Sequence, residues 1–407
     1  MRVAITADWL NTYGGGERVL AELHRMFPDA PIYTTVFEPS LTPAPMREWD
    51  IRTSFLQRIP FARRRHQPFL PLMPIAFEQF DMSEYDLVIT TSSACAKGVI
   101  TRPGALNVCY CYTPCRYIWD LYHEYTRGLR SRFLFAPVAH WLRVWDRISS
   151  DRVDHFIGIS HEVASRIHRH YRRDPEVIYP PVDVERVQPN GLPPEDFYLV
   201  VARLVPYKRV DLAIRAASRL GRRLVVVGAG SERRRLEAIA GPTVEFLGRR
   251  SDAEVADLFA RCRAFLFPGW EDFGIAPVEA QAAGRPVIAY GRGGAAETVV
   301  DGSTGVLFEE QTEEALVEAI LRFERMSFDP SVCRQNAERF SSSEFRRQLS
   351  LAIERQIQIA RGSRSGSAVR EEQERDIRAG TVLRLPLGSG AEIRAGWVPQ
   401  LLEGRAP

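Results

Sequence analysis

Short apolar runs alternate with amphipathic segments along the first half of the chain. Apolar runs fall at 2–7, 30–36, 87–91, 105–110 and 153–160, and helical spacing is found at 17–26, 141–148 and 161–171. Apolar runs of this length, bounded by turn residues, are typical of strands covered on both faces. The alternation predicts a mostly parallel, doubly wound sheet.

The same rhythm starts again after a proline-rich stretch. Residues 179–194 contain the densest proline of the chain, which marks a hinge or linker. Beyond it we predict strands at 198–201, 223–227, 243–247, 261–267, 287–289 and 305–308, and helices at 211–219, 231–239 and 252–261. The fold class is therefore α/β, with two Rossmann-like doubly wound halves. A ligand would bind in the cleft between them, at the carboxyl ends of the strands.

These patterns divide the chain into four parts. We expect an N-terminal Rossmann-like domain at 1–188, a C-terminal one at 189–340, a terminal helix at 341–362, and a linker with a poorly ordered tail at 363–407. The glycine- and serine-rich sequence at 361–367 is typical of a flexible linker.

Two glutamates eight residues apart are the most informative polar residues of the second half. Glu271 and Glu279 lie in the sequence FPGWEDFGIAPVE, which predicts a loop around Glu271 and a helix over 277–283 with Glu279 in its first turn. Amides at such a helix start, near Phe273 and Gly274, can donate to hydroxyl or phosphate oxygens. The two carboxylates could accept from a polyhydroxylated ligand. The alternative is that Glu279 complements the helix dipole and Glu271 is a solvated loop charge.

Cations and glycines occupy the same predicted edge of the sheets. Arg203 and Lys208 follow the first strand of the second half, where an arginine fork and a lysine charge can hold a diphosphate. Ordinary surface cations are the alternative. In the first half, Gly14, Gly15 and Gly16 open a helix, which lets the backbone approach a phosphate closely. Their spacing does not match the GxGxxG dinucleotide fingerprint.

Composition and charge narrow the classes of function. The 407 residues are 45% apolar and 26% charged, which suffices for two core-forming domains. No run approaches the roughly 18 apolar residues that a spanning helix needs, and no signal peptide is visible, so we expect a cytoplasmic protein. The net charge of +3 is too small to argue for a nucleic-acid partner, and we expect none.

The cysteines and carboxylates give little reason to expect a metal. Cys109 and Cys111 would share a strand face, with Cys115 nearby, but small buried hydrophobic side chains are the favoured interpretation over a metal site. The sequence contains neither HExxH nor two aspartates spaced as D-x-D. A dedicated metal–diphosphate site would therefore lack its usual ligands, and we expect no metal.

A basic and apolar segment at 55–80 is the one focused concentration of positive charge. Its cations are Arg58, Arg63, Arg64, Arg65 and His66, set among phenylalanines, leucines and prolines. This mixture suits an anionic membrane surface, where each basic residue contributes about 1 kcal/mol and apolar side chains enter the headgroup region. The alternative is a solvated surface loop with a partly buried edge.

Taken together, these features resemble the retaining glycosyltransferases of family four, which have the GT-B fold. The resemblance covers about residues 1–360, and the two-glutamate element is its most specific part. It implies an N-terminal acceptor-binding domain, a C-terminal domain that binds the nucleotide-sugar donor, and a terminal helix that packs back on the N-terminal domain. It also implies that the nucleotide sugar is a co-substrate and that no cofactor is needed.

The resemblance also implies roles for individual residues. Glu279 would hydrogen-bond the ribose, and Glu271 with the amides of Phe273, Gly274 and Ile275 would hold donor-sugar hydroxyls. Catalysis would rest on Glu271 and on Arg203 and Lys208, which would neutralise the diphosphate, while Gly15 and Gly16 would touch the donor phosphates. Arg249, after the strand predicted at 243–247, falls where the base-contacting loop of the family lies.

Three further segments resemble a narrower group within the family. The sequences SSACAKG at 92–98, TPCRYIWD at 113–120 and VIYPPVD at 177–183 are similar to bacterial mannosyltransferases that build O-antigen and exopolysaccharide from GDP-mannose. That similarity implies a lipid-linked saccharide acceptor and a peripheral position at the inner face of the plasma membrane. The chain departs from the group at Tyr112, where a histidine close to the reacting sugar is usual, although tyrosine can also donate a hydrogen bond.

Two other functions are compatible with the same residues. The first is a nucleotide-sugar-binding protein with weak or no transfer activity, which the tyrosine at position 112 would favour. The second is a GT-B sugar-phosphate synthase or phosphorylase that acts on a small soluble acceptor. The basic segment at 55–80 favours the lipid-linked acceptor over the soluble one.

Overall fold

Parallel strands form two sheets, one in each half of the chain, in the computed structural model, which describes residues 1–126 and 132–378. The first sheet consists of β1 Val3–Ala7, β2 Ile32–Thr34, β3 Ile51–Thr53, β4 Leu87–Ser92, β5 Leu106–Cys111, β6 His155–Gly158 and β7 Glu176–Val177. The second consists of β8 Tyr198–Val201, β9 Leu224–Val227, β10 Val244–Gly248, β11 Ala264–Phe267, β12 Val287–Tyr290 and β13 Gly305–Phe308.

The strand orders are those of doubly wound sheets. They run β3-β2-β1-β4-β5-β6-β7 and β10-β9-β8-β11-β12-β13, and every pair of neighbouring strands in the described residues is parallel. In each sheet the chain starts in the middle, winds to one edge, and then returns to wind to the other. The predicted fold class, two Rossmann-like halves, is confirmed.

Helices connect these strands and cover both faces of the sheets. They are α1 Gly15–Met26, α2 Met73–Glu78, α3 Tyr122–Tyr125, α4 Arg132–Ser149, α5 His161–Tyr171, α6 Val210–Leu220, α7 Arg233–Ile239, α8 Asp252–Arg261, α9 Ile275–Ala282, α10 Ala295–Thr298, α11 Glu313–Glu324, α12 Pro330–Glu338 and α13 Ser342–Arg378. Short 3-10 helices cover Pro39–Leu41, Ala44–Glu48, Phe55–Arg58, Gln67–Leu72, Ala96–Gly98, Ser150–Arg152 and Pro206–Lys208. None of the described helices combines the length and apolarity of a membrane-spanning segment.

The central strands are buried on both faces, as their sequences predict. All four residues of β9 and of β11, LVVV and AFLF, are buried. The edge strands behave differently, since β3 and β7 expose part of their side chains and contain only three and two residues. Segments this short give no periodic signal, which is why the sequence did not predict them.

The terminal helix is longer than predicted. Its first turns belong to the compact unit formed by Met1–Ile357, where Phe345 packs edge-on against Tyr110 with ring centroids 5.5 Å apart. The flexible linker expected at 361–367 is instead helical, because α13 continues to Arg378. A glycine costs a helix only about 1 kcal/mol relative to alanine, and the Arg- and Glu-rich sequence that follows favours helix. The tail expected beyond residue 378 lies outside the described residues.

Two glycines bring the loops after β8 and β9 into backbone contact. Gly228 has φ 136°, and a Cβ there would lie 1.8 Å from the carbonyl oxygen of Ala202. A Cβ at Gly230 would lie 2.1 Å from the carbonyl oxygen of Leu204. The strand-to-helix turn at these glycines is therefore also a close approach of two backbones. It fixes the loop that carries Arg203.

Gly228→Ala should lower the free energy of unfolding by about 3 kcal/mol or more, because the new methyl group collides with a carbonyl oxygen at an unfavourable φ. Gly221 is a matched control. It also has positive φ, 64°, but a Cβ there meets nothing within 4 Å, so Gly221→Ala should cost only about 1 kcal/mol. Urea unfolding measures the free energy of unfolding of both variants. Equal losses of stability would contradict the backbone contact at Gly228 as the cause of the larger loss.

Candidate functional site

A cavity of about 720 Å³ lies between the two halves, at the carboxyl ends of β1, β8 and β11. Ten of the predicted site residues line it: Gly15, Gly16, Tyr112, Arg203, Lys208, Glu271, Phe273, Gly274, Ile275 and Glu279. Arg249 does not. It follows β10, the edge strand of the second sheet, and its side chain is exposed to solvent outside the cavity. The structure thus gives no support for a base contact by Arg249.

The helix after the two-glutamate loop begins earlier than predicted. Gly274 caps α9 with φ 82°, and a Cβ there would lie 2.9 Å from the Phe267 ring, so the position requires glycine. Since α9 begins at Ile275, Glu279 is its fifth residue, and the placement of Glu279 in the first turn is wrong. The helix-dipole explanation for Glu279 loses its basis, because that effect is confined to the first turn.

Two arginines hold the carboxylate of Glu279. Arg18 of α1 donates to Oε1 at 2.9 Å, and Arg186 of the proline-rich stretch donates to the same oxygen. Oε2 accepts no hydrogen bond from any of the described residues. The buried glutamate is therefore fixed through one oxygen, and the other is available at the cavity wall. Neither arginine was singled out from the sequence.

Lys208 and Glu271 form an ion pair inside the cavity. Their side chains are 17% and 19% exposed. Arg203 lies nearby and donates to the hydroxyl of Tyr207 at 2.9 Å, and the ammonium of Lys208 stands 5.5 Å from the centre of the Tyr207 ring. The structure therefore brings together the cation pair and the loop glutamate, as the sequence predicted.

Carboxylates of the second half bind cations and amides of the first half across the cleft. Asp272 pairs with Arg116 and with Arg166, the latter at 2.5 Å. Glu297 of α10 accepts hydrogen bonds from the first two amides of α5, at 2.9 and 3.1 Å. These residues are far apart in the sequence, and no spacing rule relates them. The ion pairs of Asp272 hold the loop that contains Glu271, because Asp272 is the next residue of that loop.

The N-termini of α1 and α9 meet at the cavity. A Cβ at Gly15, the first residue of α1, would lie 2.8 Å from the Cδ1 atom of Ile275, the first residue of α9. Each helix start carries partial positive charge and amides without helical partners. Because both starts line the same cavity, they form a favourable environment for phosphate oxygens.

Tyr112 supports the glycine turn of α1. Its hydroxyl donates to the carbonyl oxygen of Gly16 at 2.8 Å, and a Cβ at Gly16 would stand 3.4 Å from the Tyr112 ring. Burial raises the pKa of Tyr112 well above its ordinary value, so the phenol stays neutral and can donate. The residue that departs from the family pattern thus has a defined structural contact.

Asp8, which lines the cavity, organises the backbone of the segment 92–98, from which Ser93 also lines the cavity. Its carboxylate accepts hydrogen bonds from four consecutive backbone amides, Ser93 to Ala96, at 2.5 to 2.9 Å. Burial raises the pKa of Asp8, and these amide hydrogen bonds oppose the rise. The sequence showed Asp8 only as the residue that ends an apolar run.

The clustered cysteines belong to the core. Cys109, Cys111 and Cys115 are buried with free thiols. Within residues 1–126 and 132–378, no group of three or more histidine, cysteine, aspartate or glutamate side chains has an arrangement that could hold a metal ion.

These two halves and their cleft are those of the GT-B fold. The family model described as Glycosyltransferase Family 4 matches residues 13–186, and the model described as Glycosyl transferases group 1 matches residues 184–340. The chain thus has the GT-B architecture of the group 1 and family 4 glycosyltransferases, with one family model in each half.

Individual relatives agree with this assignment of the fold. The chain is 30% identical over 184 residues to an uncharacterised glycosyltransferase of Methanocaldococcus jannaschii, a match that covers 44% of the chain and 52% of the relative. The chain spans about half the length of the curated relatives that it matches.

Two solved structures show the same fold at low identity. The Anabaena protein HepE in complex with UDP superposes with a TM-score of 0.65 and 19% identity, over 87% of this chain and 100% of that one. Sucrose-phosphate synthase from Thermosynechococcus elongatus superposes with a TM-score of 0.66 and 20% identity, over 88% and 100%.

Proposed function

We propose that this protein transfers a sugar from a nucleotide sugar to an acceptor. The observation that carries the proposal is the convergence of Glu271, Glu279, Arg203, Lys208 and two helix N-termini on one cavity. A nucleotide sugar presents hydroxyls, which carboxylates bind, and a diphosphate, which cations and helix N-termini bind. The cavity offers both kinds of group.

Within this proposal, the residues divide the donor between them. Glu279 accepts from the ribose through Oε2, since its Oε1 is held by two arginines. Glu271 and the amides of Phe273, Gly274 and Ile275 bind hydroxyls of the transferred sugar. Lys208 lies against Glu271 and so reaches the diphosphate close to the sugar, with Arg203 beside it.

The chemistry proposed is substitution at the anomeric carbon with retention of configuration. The bond from the anomeric carbon to the diphosphate oxygen breaks, and the acceptor hydroxyl attacks from the same face. The departing diphosphate takes the hydroxyl proton. Arg203, Lys208 and the helix N-termini stabilise the charge that develops on the leaving group, each by a few kcal/mol in a closed cavity. No metal ion is required for these steps.

We propose GDP-mannose as the donor and a lipid-linked saccharide of bacterial surface polysaccharide synthesis as the acceptor. The donor proposal is supported by the similarity of three segments to GDP-mannose-dependent enzymes. The HepE structures contain UDP, which makes uridine donors the direct competitor in any test. The acceptor proposal is supported by the exposed basic segment described below.

Ligand-induced stabilisation tests the donor site. GDP-mannose at about 100 times its dissociation constant should add about 2.7 kcal/mol of stability, which a thermal-shift assay detects. The panel includes GDP-fucose, UDP-glucose and UDP-GlcNAc, and Glu279→Ala should lose the shift because the ribose contact is removed. A thermal shift with a uridine-diphosphate sugar alone would show that the donor is a UDP-sugar rather than GDP-mannose. No shift with any nucleotide sugar would contradict the site.

Glu271→Ala should reduce transfer at least about a hundredfold while the fold is retained, because a donor-sugar contact is lost and Lys208 loses its partner. The matched control is Glu318→Ala, which changes an exposed glutamate of α11. Transfer to saccharide acceptors is measured beside circular dichroism. Near wild-type turnover would refute the assignment of Glu271. Donor binding without transfer in the wild-type protein would favour the binding-protein alternative.

The basic segment at 55–80 has the exposure that an interfacial surface requires. The side chains of Arg58, Arg63, Arg64 and Arg65 are all exposed, and Phe61 between them is 82% exposed with φ 66°. A phenylalanine at positive φ and in water is unfavourable on both counts. Leu56, Leu70, Met73 and Phe77 of the same segment are buried and anchor it. We propose that the exposed residues bind an anionic membrane surface.

Helix α4 extends this surface. Trp145 of α4 donates to Glu78 of α2 at 2.8 Å, which places the two helices side by side. Trp141, Val144 and Ile148 are exposed and follow one another at helical spacing on α4, and Ile75 of α2 is exposed as well. An apolar face of this kind, next to exposed arginines, fits a headgroup boundary.

Replacement of Arg63, Arg64 and Arg65 by alanine should weaken binding to anionic vesicles about a hundredfold, since each arginine contributes about 1 kcal/mol. The chain offers a matched control in Arg233, Arg234 and Arg235 of α7, where the same substitutions change the net charge equally. Co-sedimentation with phosphatidylglycerol vesicles at low salt measures both. Equal losses, or no binding of the wild-type protein, would contradict the membrane surface and favour a soluble acceptor.

A further inference from the structure

We propose that Trp9 is the platform on which a pyranose ring of the acceptor stacks. The inference rests on the proposed function, because it assigns the second substrate of the same cavity. Trp9 follows β1 and lines the cavity from the first half, and Glu271 and Lys208 line the same cavity from the second half. Its indole is only partly buried.

One face of the indole is already covered. The imidazole of His66 stacks on Trp9 with ring centroids 4.0 Å apart and an angle of 17° between the planes. His66 is 6% exposed and does not line the cavity. On this proposal, the indole face away from His66 is the part of Trp9 that a ligand meets, since Trp9 lines the cavity and His66 does not. A ligand in the cavity would find an aromatic surface supported from behind.

The supporting histidine is fixed in position. The side-chain amide of Asn11 donates to Nδ1 of His66 at 2.9 Å and to the carbonyl oxygen of Arg63 at 2.8 Å. Burial lowers the pKa of His66 to about 4, so the ring is neutral near pH 7. A neutral, hydrogen-bonded ring holds the indole without adding a charge beside the cavity.

A pyranose is the ligand class that this surface suits. Its ring presents C–H groups on one face, which pack on the negative face of an aromatic ring, and hydroxyls at its rim. Ser93, Thr113 and Arg116 line the cavity on the same half and provide polar partners for such hydroxyls. The stack also joins the cavity to the basic segment, since Trp9 lines the cavity and His66 belongs to the basic segment.

A binding experiment tests the platform without requiring transfer. Methyl α-D-mannopyranoside, methyl α-D-glucopyranoside and methyl β-D-galactopyranoside are titrated into the full chain, and saturation-transfer NMR reports which sugar protons touch the protein. At least one should bind through its ring C–H protons. Trp9→Ala should weaken that binding about tenfold, and Trp9→Phe should retain most of it.

The chain provides a control in Trp49, which also packs against a histidine, His24, with ring centroids 4.3 Å apart and 35° between the planes, but does not line the cavity. Trp49→Ala should leave pyranoside binding unchanged. Equal binding by Trp9→Ala and wild type, or no binding of any pyranoside to the wild type, would overturn the proposal. If Trp9→Ala does not fold, Trp9→Leu is used instead, because it keeps an apolar side chain but not the flat ring. Trp9→Leu should then weaken pyranoside binding, and unchanged binding would overturn the proposal.

The nucleotide-sugar thermal shift separates this inference from the proposed function. Pyranoside binding that depends on Trp9, without any nucleotide-sugar shift, would remove the transferase proposal and keep the saccharide site. A nucleotide-sugar shift together with pyranoside binding that does not depend on Trp9 would keep the transferase proposal and remove Trp9 as the stacking platform.

Discussion

Charge pairing across the cleft is the interaction on which the rest of the site depends. The second half contributes the carboxylates Asp272, Glu279 and Glu297. Their partners are arginines of the first half and the proline-rich stretch, and the backbone amides at the start of α5. The side chains of these ion pairs are 8 to 24% exposed, so removing one partner leaves a partly buried charge uncompensated, at a cost below the roughly 3 to 5 kcal/mol of a fully buried pair. Glu279 is thus positioned by contacts from outside its own half, and Asp272 holds the loop that contains Glu271, whereas Lys208 and Arg203 have their partners within the second half.

The second constraint on the site is the close approach of two backbone segments, 293–294 and 271–273, which only glycine allows. A Cβ at Gly293 would lie 2.2 Å from the carbonyl oxygen of Glu271, and a Cβ at Gly294 would lie 2.1 Å from the backbone of Phe273. The amide of Gly294 also donates to the carbonyl oxygen of Glu271 at 2.9 Å. A side chain at either glycine would displace the loop that carries Glu271. Charge pairing fixes this loop from one side of the cleft, and glycine packing fixes it from within its own half.

The sequence predicted what depends on local pattern and missed what depends on distant contact. The buried strands, the loop at Glu271 and the cation loop at Arg203 follow from apolar runs and turn residues that lie next to each other in the chain. The start of α9 was misplaced because Pro277 looked like the first helical residue, whereas the positive φ of Gly274 sets the start. The arginine partners could not be predicted, since nothing local to Arg116 indicates that it will pair with Asp272.

The segments that join the two halves converge on the same loop. Tyr179 of the proline-rich stretch packs 5.7 Å from Phe273 and 5.0 Å from Phe340, between ring centroids, and Phe340 lies 5.6 Å from Phe273. Phe340 belongs to the passage from α12 to α13, and its carbonyl oxygen accepts from the amide of Val182 at 2.9 Å. Both crossings between the halves therefore contact Phe273, which lines the cavity together with its neighbours. The three rings therefore pack together where the chain crosses between the halves, and Phe273 connects this cluster directly to the loop that carries Glu271.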